Sequence, residues 1–330
     1  MSLNAAPSRA RSPRPRHAQD DAPWDIDPAL LPQLRAIVAD AAAAVKGARI
    51  VVASRDSRPR VLIGAHGNGF SWRTVATSVI ERGEAARDEV TIGAPIHGVT
   101  GLRATLLLHH DRVLAGRDGA SLARAYAARV ETAVASSLAR IAATRGAVDA
   151  LLQALAAHDK ETARHAHAVR RLARTLGAAL DLAPHALLEL EWAALLHDMG
   201  KTAVPPELLR KPEPLADAEW AIVKQHPSVG ERIVRAVPAL DHVGLCVRHH
   251  HERWDGSGYP DRLAGRAIPL HARIIALVDA YETMRTGRPY HAPQGYEETA
   301  QDLRCHAGTQ FDPDLVTWLP TLDGYDLDLQ

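Results

Sequence analysis

The sequence contains few of the features that mark several large classes of protein. Its two cysteines, Cys246 and Cys305, cannot build a disulfide framework, and they favour a reducing, cytoplasmic setting. No apolar run approaches the roughly 18 residues of a membrane span, which predicts no membrane partner. Aromatic residues make up 4% of the chain, and Lys plus Arg balance Asp plus Glu at 39 each. The chain therefore lacks the stacking aromatics and the excess positive charge that binding to a nucleic-acid polymer requires.

The length and the changes in composition predict a tail and two domains. At about 150 residues per domain, a chain of this length corresponds to two domains. Residues 1–29 mix prolines with arginines and show no apolar periodicity, so they are predicted to be a disordered tail rather than a secretory signal. Gly146 is expected to interrupt a long helix. We therefore place the domain boundary there, between residues 30–145 and residues 146–330.

Residues 30–145 combine helical patterns with strand-like patterns, in an order that is typical of an α+β domain. The predicted helices are 30–45, 72–82 and 121–145, and the predicted strands are 49–54, 60–63, 89–96 and 102–109. The run SWRTVATSVIERGEA before an apolar strand pair resembles a small GAF-type sensor domain. This resemblance implies either a ligand-binding pocket or an empty, dimerising spacer. The Ala-rich helix at 121–145 is expected to connect the domains rigidly and to support a homodimer.

Residues 146–330 show helical spacing without alternating strand patterns, which predicts an all-α bundle. This half contains a set of histidines and carboxylates that are candidate metal ligands. Glu161 and His165 are four residues apart and would share one face of a helix. Asp279 lies among apolar residues, where an unpaired carboxylate would be costly and would need a cation or a strong donor. The eight candidate donors are Glu161, His165, His197, Asp198, His226, His250, His251 and Asp279.

The composition of this donor set indicates what it would bind. Mixed imidazole and carboxylate ligands suit Fe, Mn, Zn or Ni, and the absence of thiolates argues against a structural zinc site. One first-row ion rarely takes more than about six ligands, so eight converging donors would need at least two metals. Paired ions about 3.5–4 Å apart are commonly used to hydrolyse phosphate esters. His249 is interpreted as a flanking residue, and Cys246 as a small buried apolar residue.

Five segments in order resemble the HD-GYP family: HDMGK, KPEPLADAEWAIVKQHPSVGERIV, HHERWDGSGYP, IPLHARIIALVDAYETMRTGRPY and GTQFDPDLV. The resemblance covers residues from about 147 to 320. It implies a metal-dependent phosphodiesterase that linearises the bacterial second messenger cyclic di-GMP to pGpG, with GMP as a further product in some members. The HD motif alone implies only the broader class of HD phosphohydrolases.

The resemblance assigns roles to individual residues. All eight candidate donors match metal-ligand positions, with Asp198 expected to bridge ions and Glu161 implying a third ion beside the usual two. Iron and manganese are the expected metals. Lys201 and Arg288 match positions that contact the substrate phosphate, and Asp198 and Lys201 are the expected catalytic residues. Tyr259 is expected to contact the nucleotide or a signalling partner, and Asp159 to fix the ligand or a metal-bound water.

The chain departs from the family pattern at a few positions. It has Glu282 and Thr283 where relatives often read DAYDAM, and Ala168 where an arginine is common. These departures leave the candidate ligands intact. Two alternatives stay open from the sequence: a receptor or scaffold that binds cyclic di-GMP without cleaving it, and an HD phosphohydrolase that acts on another cyclic dinucleotide.

Overall fold

The computed structural model describes nine segments of the chain. They are residues 30–45, 47–54, 60–65, 79, 86–87, 91–96, 102–109, 117–287 and 292–323. The predicted tail at 1–29, nearly all of the predicted helix at 72–82, and Arg288 lie outside these residues.

The described N-terminal elements are one helix and an antiparallel sheet. Helix α1 is Leu30–Ala44, and the strands are β1 Gly47–Ser54, β2 Arg60–Ala65, β3 Ala86–Arg87, β4 Thr91–Ile96 and β5 Leu102–His109. The five strands follow the order β2-β1-β5-β4-β3. The long central strands β1 and β5 pair from Gly47 opposite His109 to Ser54 opposite Leu102. The GAF-type assignment of this segment stays a prediction.

Helix α2, Arg117–His158, is 42 residues long and continues past Gly146 without a break. The expectation that Gly146 interrupts this helix is therefore wrong. One glycine inside a helix costs about 1 kcal/mol, which a long cooperative helix packed at both ends tolerates. Tyr126 and Val130 of α2 pack in the core beside the sheet, whereas Leu152 and Leu155 pack in the helical core. The proposed domain boundary falls inside this shared helix.

The rest of the described chain is helical, as the sequence predicted. The helices are α3 Lys160–Ala179, α4 Pro184–Leu196, α5 Pro206–Leu209, α6 Asp217–Val223, α7 His226–Arg235, α8 Asp241–His249, α9 Leu270–Thr286, α10 Tyr296–Cys305 and α11 Pro313–Val316. Short 3-10 turns connect several of them. Between residues 117 and 323, the described part of the chain contains no strand, only an isolated bridge between Ala307 and Phe311.

Helices α3, α4 and α9 form the centre of the helical half. On α3, buried residues recur with helical spacing at Val169, Leu172 and Leu176. They belong to one apolar core together with residues such as Leu190 of α4 and Ile275 of α9. This core holds the three helices in a fixed arrangement. No helix among the described residues combines the length and the apolar character needed to span a lipid bilayer.

Candidate metal centre

The ends of several helices meet around one point of the helical half. His197 caps the C-terminus of α4 and Asp198 follows it. His226 is the first residue of α7. His250 caps the C-terminus of α8, and His251 comes next. Side chains at these ends can face one another because the helices terminate instead of passing by.

A glycine contact allows two of these helix ends to approach closely. A Cβ atom on Gly200 would lie only 1.9 Å from the main-chain oxygen of His226 and 2.6 Å from the main-chain nitrogen of Gly230. No other residue fits this space without moving the backbone. The turn that carries Asp198 therefore packs directly against the start of α7, which carries His226.

Four of the predicted donors form the first group. Asp198, His226, His250 and His251 each offer one ligand atom, and these atoms all lie within 4.8 Å of one another. The Nε2 atom of His226 is 3.3 Å from Oδ1 of Asp198 and 3.3 Å from Nε2 of His250. We call these four residues the first donor group.

His165, His197 and Asp279 form the second donor group, again with ligand atoms within 4.8 Å of one another. His165 lies on α3 and Asp279 on α9, with 2.9 Å between Nε2 of His165 and Oδ1 of Asp279. The two groups adjoin, because Nε2 of His197 is 3.3 Å from Oδ2 of Asp198. The rings of His197 and His250 are also in edge contact, with centroids 5.1 Å apart.

Main-chain carbonyls orient three of the imidazoles. The Nδ1 atoms of His197, His226 and His250 donate to the carbonyl oxygens three residues earlier, at distances of 2.7, 2.8 and 2.6 Å. A neutral imidazole has one N–H, so these bonds leave each Nε2 with a lone pair aimed at the centre. Among the described residues, the Nε2 atom of His197 is buried and has no hydrogen-bond partner. Such an arrangement fits a bound cation.

The electrostatics of the centre also suit a divalent cation. Burial and neighbouring imidazoles lower the pKa of His251 to about 3 and hold the pKa of His250 well below its ordinary value. Burial opposes ionisation of Asp198, but Lys201 and His197 outweigh it and lower the pKa of Asp198. Neutral imidazoles beside charged carboxylates are the protonation states that metal ligation needs.

His165 is the exception among the imidazoles. Burial alone would lower its pKa, but hydrogen bonds with Asp279 and Glu282 outweigh burial and raise the pKa of His165 to about 10. The same contact with His165 lowers the pKa of Asp279, against the opposing effect of burial. In the protein without metal, His165 is therefore a charged imidazolium, whose two N–H groups face the carboxylates of Asp279 and Glu282.

A pocket of about 460 Å³ opens beside the donors. Its lining includes His250, His251, Asp279, Tyr259, Lys224 and Gln310. The ring of Tyr259 stacks on that of His251, with centroids 4.9 Å apart and planes 28° apart. The Nζ atom of Lys224 lies 5.6 Å from the centroid of Tyr259. The pocket thus places an aromatic face and a cation next to the candidate metal ligands.

The sequence model of the HD domain family matches residues 149–315, about half of the chain and all of the donors described above. The chain belongs to the HD domain family.

Several curated proteins with related sequences are named as phosphodiesterases of cyclic dinucleotides. A cyclic di-GMP phosphodiesterase of Thermotoga maritima is 36% identical over 160 residues, or 48% of this chain and 44% of that protein. A cyclic di-GMP phosphodiesterase of Pseudomonas aeruginosa is 40% identical over 47% of this chain and 37% of its own length. A 3′3′-cGAMP-specific phosphodiesterase of Vibrio cholerae is 36% identical over 51% of this chain and 33% of its own length. The chain spans less than half the length of these relatives.

The HD domain brings seven of the eight predicted donors into the two groups, and Glu161 lies outside them. The side chain of Glu161 is 75% exposed, and its Oε1 lies 3.7 Å from Nη2 of Arg164. As the second residue of α3, Glu161 sits one turn before His165, at the surface end of the helix. Its role as a metal ligand stays a prediction.

The predicted substrate-contacting residues of the HD domain lie in different surroundings. The Nζ atom of Lys201 donates to Oδ2 of Asp198 at 2.6 Å. Asp159 caps the N-terminus of α3 and accepts a hydrogen bond from the hydroxyl of Thr162 at 2.7 Å. Partial burial opposes ionisation of Asp159, but hydrogen bonds from Thr162 outweigh it and lower the pKa of Asp159. Arg288 lies outside the described residues.

The HD domain also contains a group of polar residues of which the sequence interpretation named only His249, as a flanking residue. His249, Glu252 and Asp261 have ligand atoms within 4.8 Å of one another. Protein groups already occupy their oxygens: Glu252 accepts from the main-chain nitrogens of Asp261 and Leu263, and Asp261 accepts from Arg248 and His249. This group therefore fastens the loop that carries Tyr259. No sequence signal separates it from the neighbouring donors.

Proposed function

We propose that this chain is a metal-dependent phosphodiesterase that hydrolyses cyclic di-GMP to pGpG. The observation that carries the proposal is the pair of adjoining donor groups joined through Asp198 at the edge of an open pocket. Two curated relatives in different bacteria are named for this activity, and both share more than a third of their aligned residues with this chain.

The two donor groups fit two divalent ions, one in each group. Asp198 lies 3.3 Å from both His226 of the first group and His197 of the second, which supports the proposal that its carboxylate would be a ligand shared by the two ions. Paired ions supply Lewis-acid polarisation of a phosphoryl group and a nucleophile at neutral pH. Nitrogen and oxygen donors without thiolates suit iron or manganese, which we propose as the metals. The proposed third ion depends on Glu161 reaching the centre.

The remaining residues bind and orient the diester. Lys201 presents its ammonium group beside Asp198, where a point charge stabilises negative charge that grows on phosphoryl oxygens. Arg288 would add a guanidinium group that donates two parallel hydrogen bonds to a phosphate. Tyr259, which lines the pocket, would contact a base, and Lys224 adds positive charge at the same wall. Asp159, at the start of α3, is proposed to help orient the ligand or a water.

A second candidate substrate is a hybrid cyclic dinucleotide. The Vibrio cholerae relative named 3′3′-cGAMP-specific is as similar to this chain, at 36% identity, as the Thermotoga maritima protein named for cyclic di-GMP. The two substrates share the diester ring and differ in one base. The base-binding wall around Tyr259 would therefore decide between them, while the metal centre would treat both alike.

We also propose how the chain is organised around this activity. Residues 30–145 would form the GAF-like regulatory domain, and a homodimer would form through it and through α2. The packing of α2 in both apolar cores supports transmission of a change from one half to the other. The loop around Tyr259 would be available to a signalling partner, and the protein would act in the cytoplasm.

A substrate panel tests the proposed function. The full chain, prepared anaerobically with Fe²⁺ or Mn²⁺, is incubated with cyclic di-GMP, 3′3′-cGAMP and cyclic di-AMP, and products are separated by chromatography. Formation of pGpG from cyclic di-GMP at the highest kcat/KM supports the proposal. A preference for 3′3′-cGAMP selects the second candidate. Tight binding of cyclic di-GMP by metal-loaded protein without any pGpG identifies a receptor and overturns the enzymatic proposal.

A further inference from the structure

Glu282 is a buried carboxylate of α9 that contacts the second donor group. It is 6% exposed, and its Oε2 lies 2.6 Å from Nδ1 of His165. On the other side of the same ring, Nε2 of His165 lies 2.9 Å from Oδ1 of Asp279. Asp279 and Glu282 are three residues apart on α9, so one helix face holds both nitrogens of the His165 ring.

The position of His165 on its helix explains why it needs this partner. His197 and His250 cap helix C-termini, and each donates to a main-chain oxygen in the last turn of its own helix. His226 donates to the main-chain oxygen of Val223, the last residue of α6. All three imidazoles are therefore oriented by a carbonyl near a helix end. His165 lies within α3, where the preceding carbonyls accept the hydrogen bonds of the helix itself. Only another element can orient this imidazole, and α9 does so with Glu282.

The hydrogen bond with Glu282 determines which ring nitrogen faces Asp279. With Nδ1–H donated to Glu282, Nε2 is the ring nitrogen that faces the carboxylate of Asp279, and a cation bound between the two would replace the proton that Nε2 carries in the metal-free protein. Without Glu282, Nδ1 would lose the acceptor that the structure gives it, and the ring could turn its Nε2 away from Asp279. A carboxylate partner also increases the basicity of a ligating imidazole.

We propose that Glu282 is a positioning residue of the metal centre, which holds His165 in the orientation and tautomer that ligation requires. The proposal rests on the proposed function to the extent that the second donor group binds a divalent ion. It gives a role to Glu282, one of the positions at which this chain departs from the family pattern. It also separates Glu282, which would act through His165, from the ligands themselves.

Metal titration of matched variants tests this role. E282M keeps the volume of the side chain and removes the acceptor, E282Q keeps an acceptor oxygen, and E298Q changes an exposed glutamate on α10. The metal-free full chain is titrated with Zn²⁺ against a competing chelator. Wild type and E298Q should show two binding phases. E282M should weaken one phase by about 10–100-fold and leave the other unchanged, and E282Q should weaken the same phase less.

Two results would overturn the proposal. If E282M binds Zn²⁺ in both phases as tightly as wild type, Glu282 does not position His165. If both phases weaken equally in E282M, the residue serves overall stability and not one ligand. The proposed function can fail separately, because a wild-type chain that binds Zn²⁺ in two phases but cleaves no cyclic dinucleotide still reports on Glu282. A wild-type chain that binds no Zn²⁺ overturns both proposals.

A spectroscopic measurement keeps the test decisive if E282M does not fold. Long-range ¹H–¹⁵N NMR of the histidine-labelled, Zn²⁺-loaded wild type reports which nitrogen of each ring carries the proton, with His165 identified by comparison with H165Q. A proton on Nδ1 of His165 supports the proposal. A proton on Nε2 overturns it.

Discussion

The Nε2 atoms of His226 and His250 lie 3.3 Å apart, and each ring already donates its Nδ1 proton to a main-chain carbonyl. Two neutral imidazoles held in this way direct two lone pairs at each other, so no hydrogen bond can form between them. Protonation of His250 would allow a hydrogen bond between the two rings, but burial lowers the pKa of His250 and opposes it. A shared metal ion resolves the conflict, which is why this pair is the clearest sign of a metal centre.

The first prediction concerns Asp198, which contacts residues of both donor groups. Replacing it with alanine should reduce phosphodiesterase activity and metal affinity by more than about 100-fold, since even partners that only support ligands contribute about 10–100-fold. Metal content by mass spectrometry and pGpG formation measure both effects. Asp314→Ala, at an exposed position on α11, should change neither. Wild-type turnover by Asp198→Ala would contradict the account.

The second prediction separates charge stabilisation from metal binding at Lys201. Lys201→Met should lower kcat by about 10²–10³-fold, the usual cost of removing a donor from developing negative charge. Metal content should stay near that of wild type, because Lys201 contacts Asp198 without being a ligand. Lys211→Met removes a lysine paired with Glu219 and serves as the control. A loss of metal in proportion to activity would instead assign Lys201 a structural role.

Much of this centre could be predicted from the sequence, because several of its residues stand in local patterns that indicate where they lie. Histidine doublets such as His250–His251 follow apolar helical spacing, so their place at a helix end can be inferred. Asp279 among apolar neighbours signals a buried charge that needs a cation. The all-helical character of this half follows from the same periodicity. The order of the motifs then links segments far apart in the chain.

Other features depend on contacts that spacing does not reveal. Gly146 looks like a helix break, but packing at both ends of α2 carries the helix through it. Glu161 shares the sequence spacing of a ligand with His165, yet lies at the exposed start of α3. Glu282 reads as a simple departure from a family pattern, and only the approach of α9 to α3 puts it against His165. Each outcome is decided by tertiary contacts.

The third prediction concerns the loop that carries Tyr259. Arg248 forms two bonds with Asp261, at 2.6 and 2.7 Å, and a third with Glu231 at 2.8 Å. Arg248→Met should loosen this loop and raise KM about 10-fold, equivalent to about 1.4 kcal/mol, with a smaller effect on kcat.

Steady-state kinetics and limited proteolysis of the loop test this third prediction. Arg266→Met is the matched control, because Arg266 is exposed and pairs with the exposed Asp314 at 3.2 Å. An unchanged KM and unchanged protease sensitivity in Arg248→Met would show that the loop is held in another way.

The fourth prediction is a pH dependence of stability in the metal-free protein. Hydrogen bonds with Asp279 and Glu282 in the folded state raise the pKa of His165 to about 10, from an ordinary value of 6.5. A group whose pKa is raised by folding stabilises the folded state. This stabilisation is complete when the pH is below the pKa of the group in the unfolded chain, and it is lost as the pH rises through about 10. The free energy of unfolding should therefore fall between pH 7 and 10. Urea unfolding in chelator should show a smaller decline for His165→Gln than for wild type, and equal declines would refute the assignment.

Metal removal and restoration, followed by product analysis, test the central claim most directly. The full chain is stripped with chelator, assayed on cyclic di-GMP, then reloaded with Fe²⁺ or Mn²⁺ under anaerobic conditions and assayed again. The account predicts no pGpG from the stripped protein and its return once about two ions are bound per chain, one for each donor group. Equal pGpG formation by the stripped and reloaded protein would contradict it.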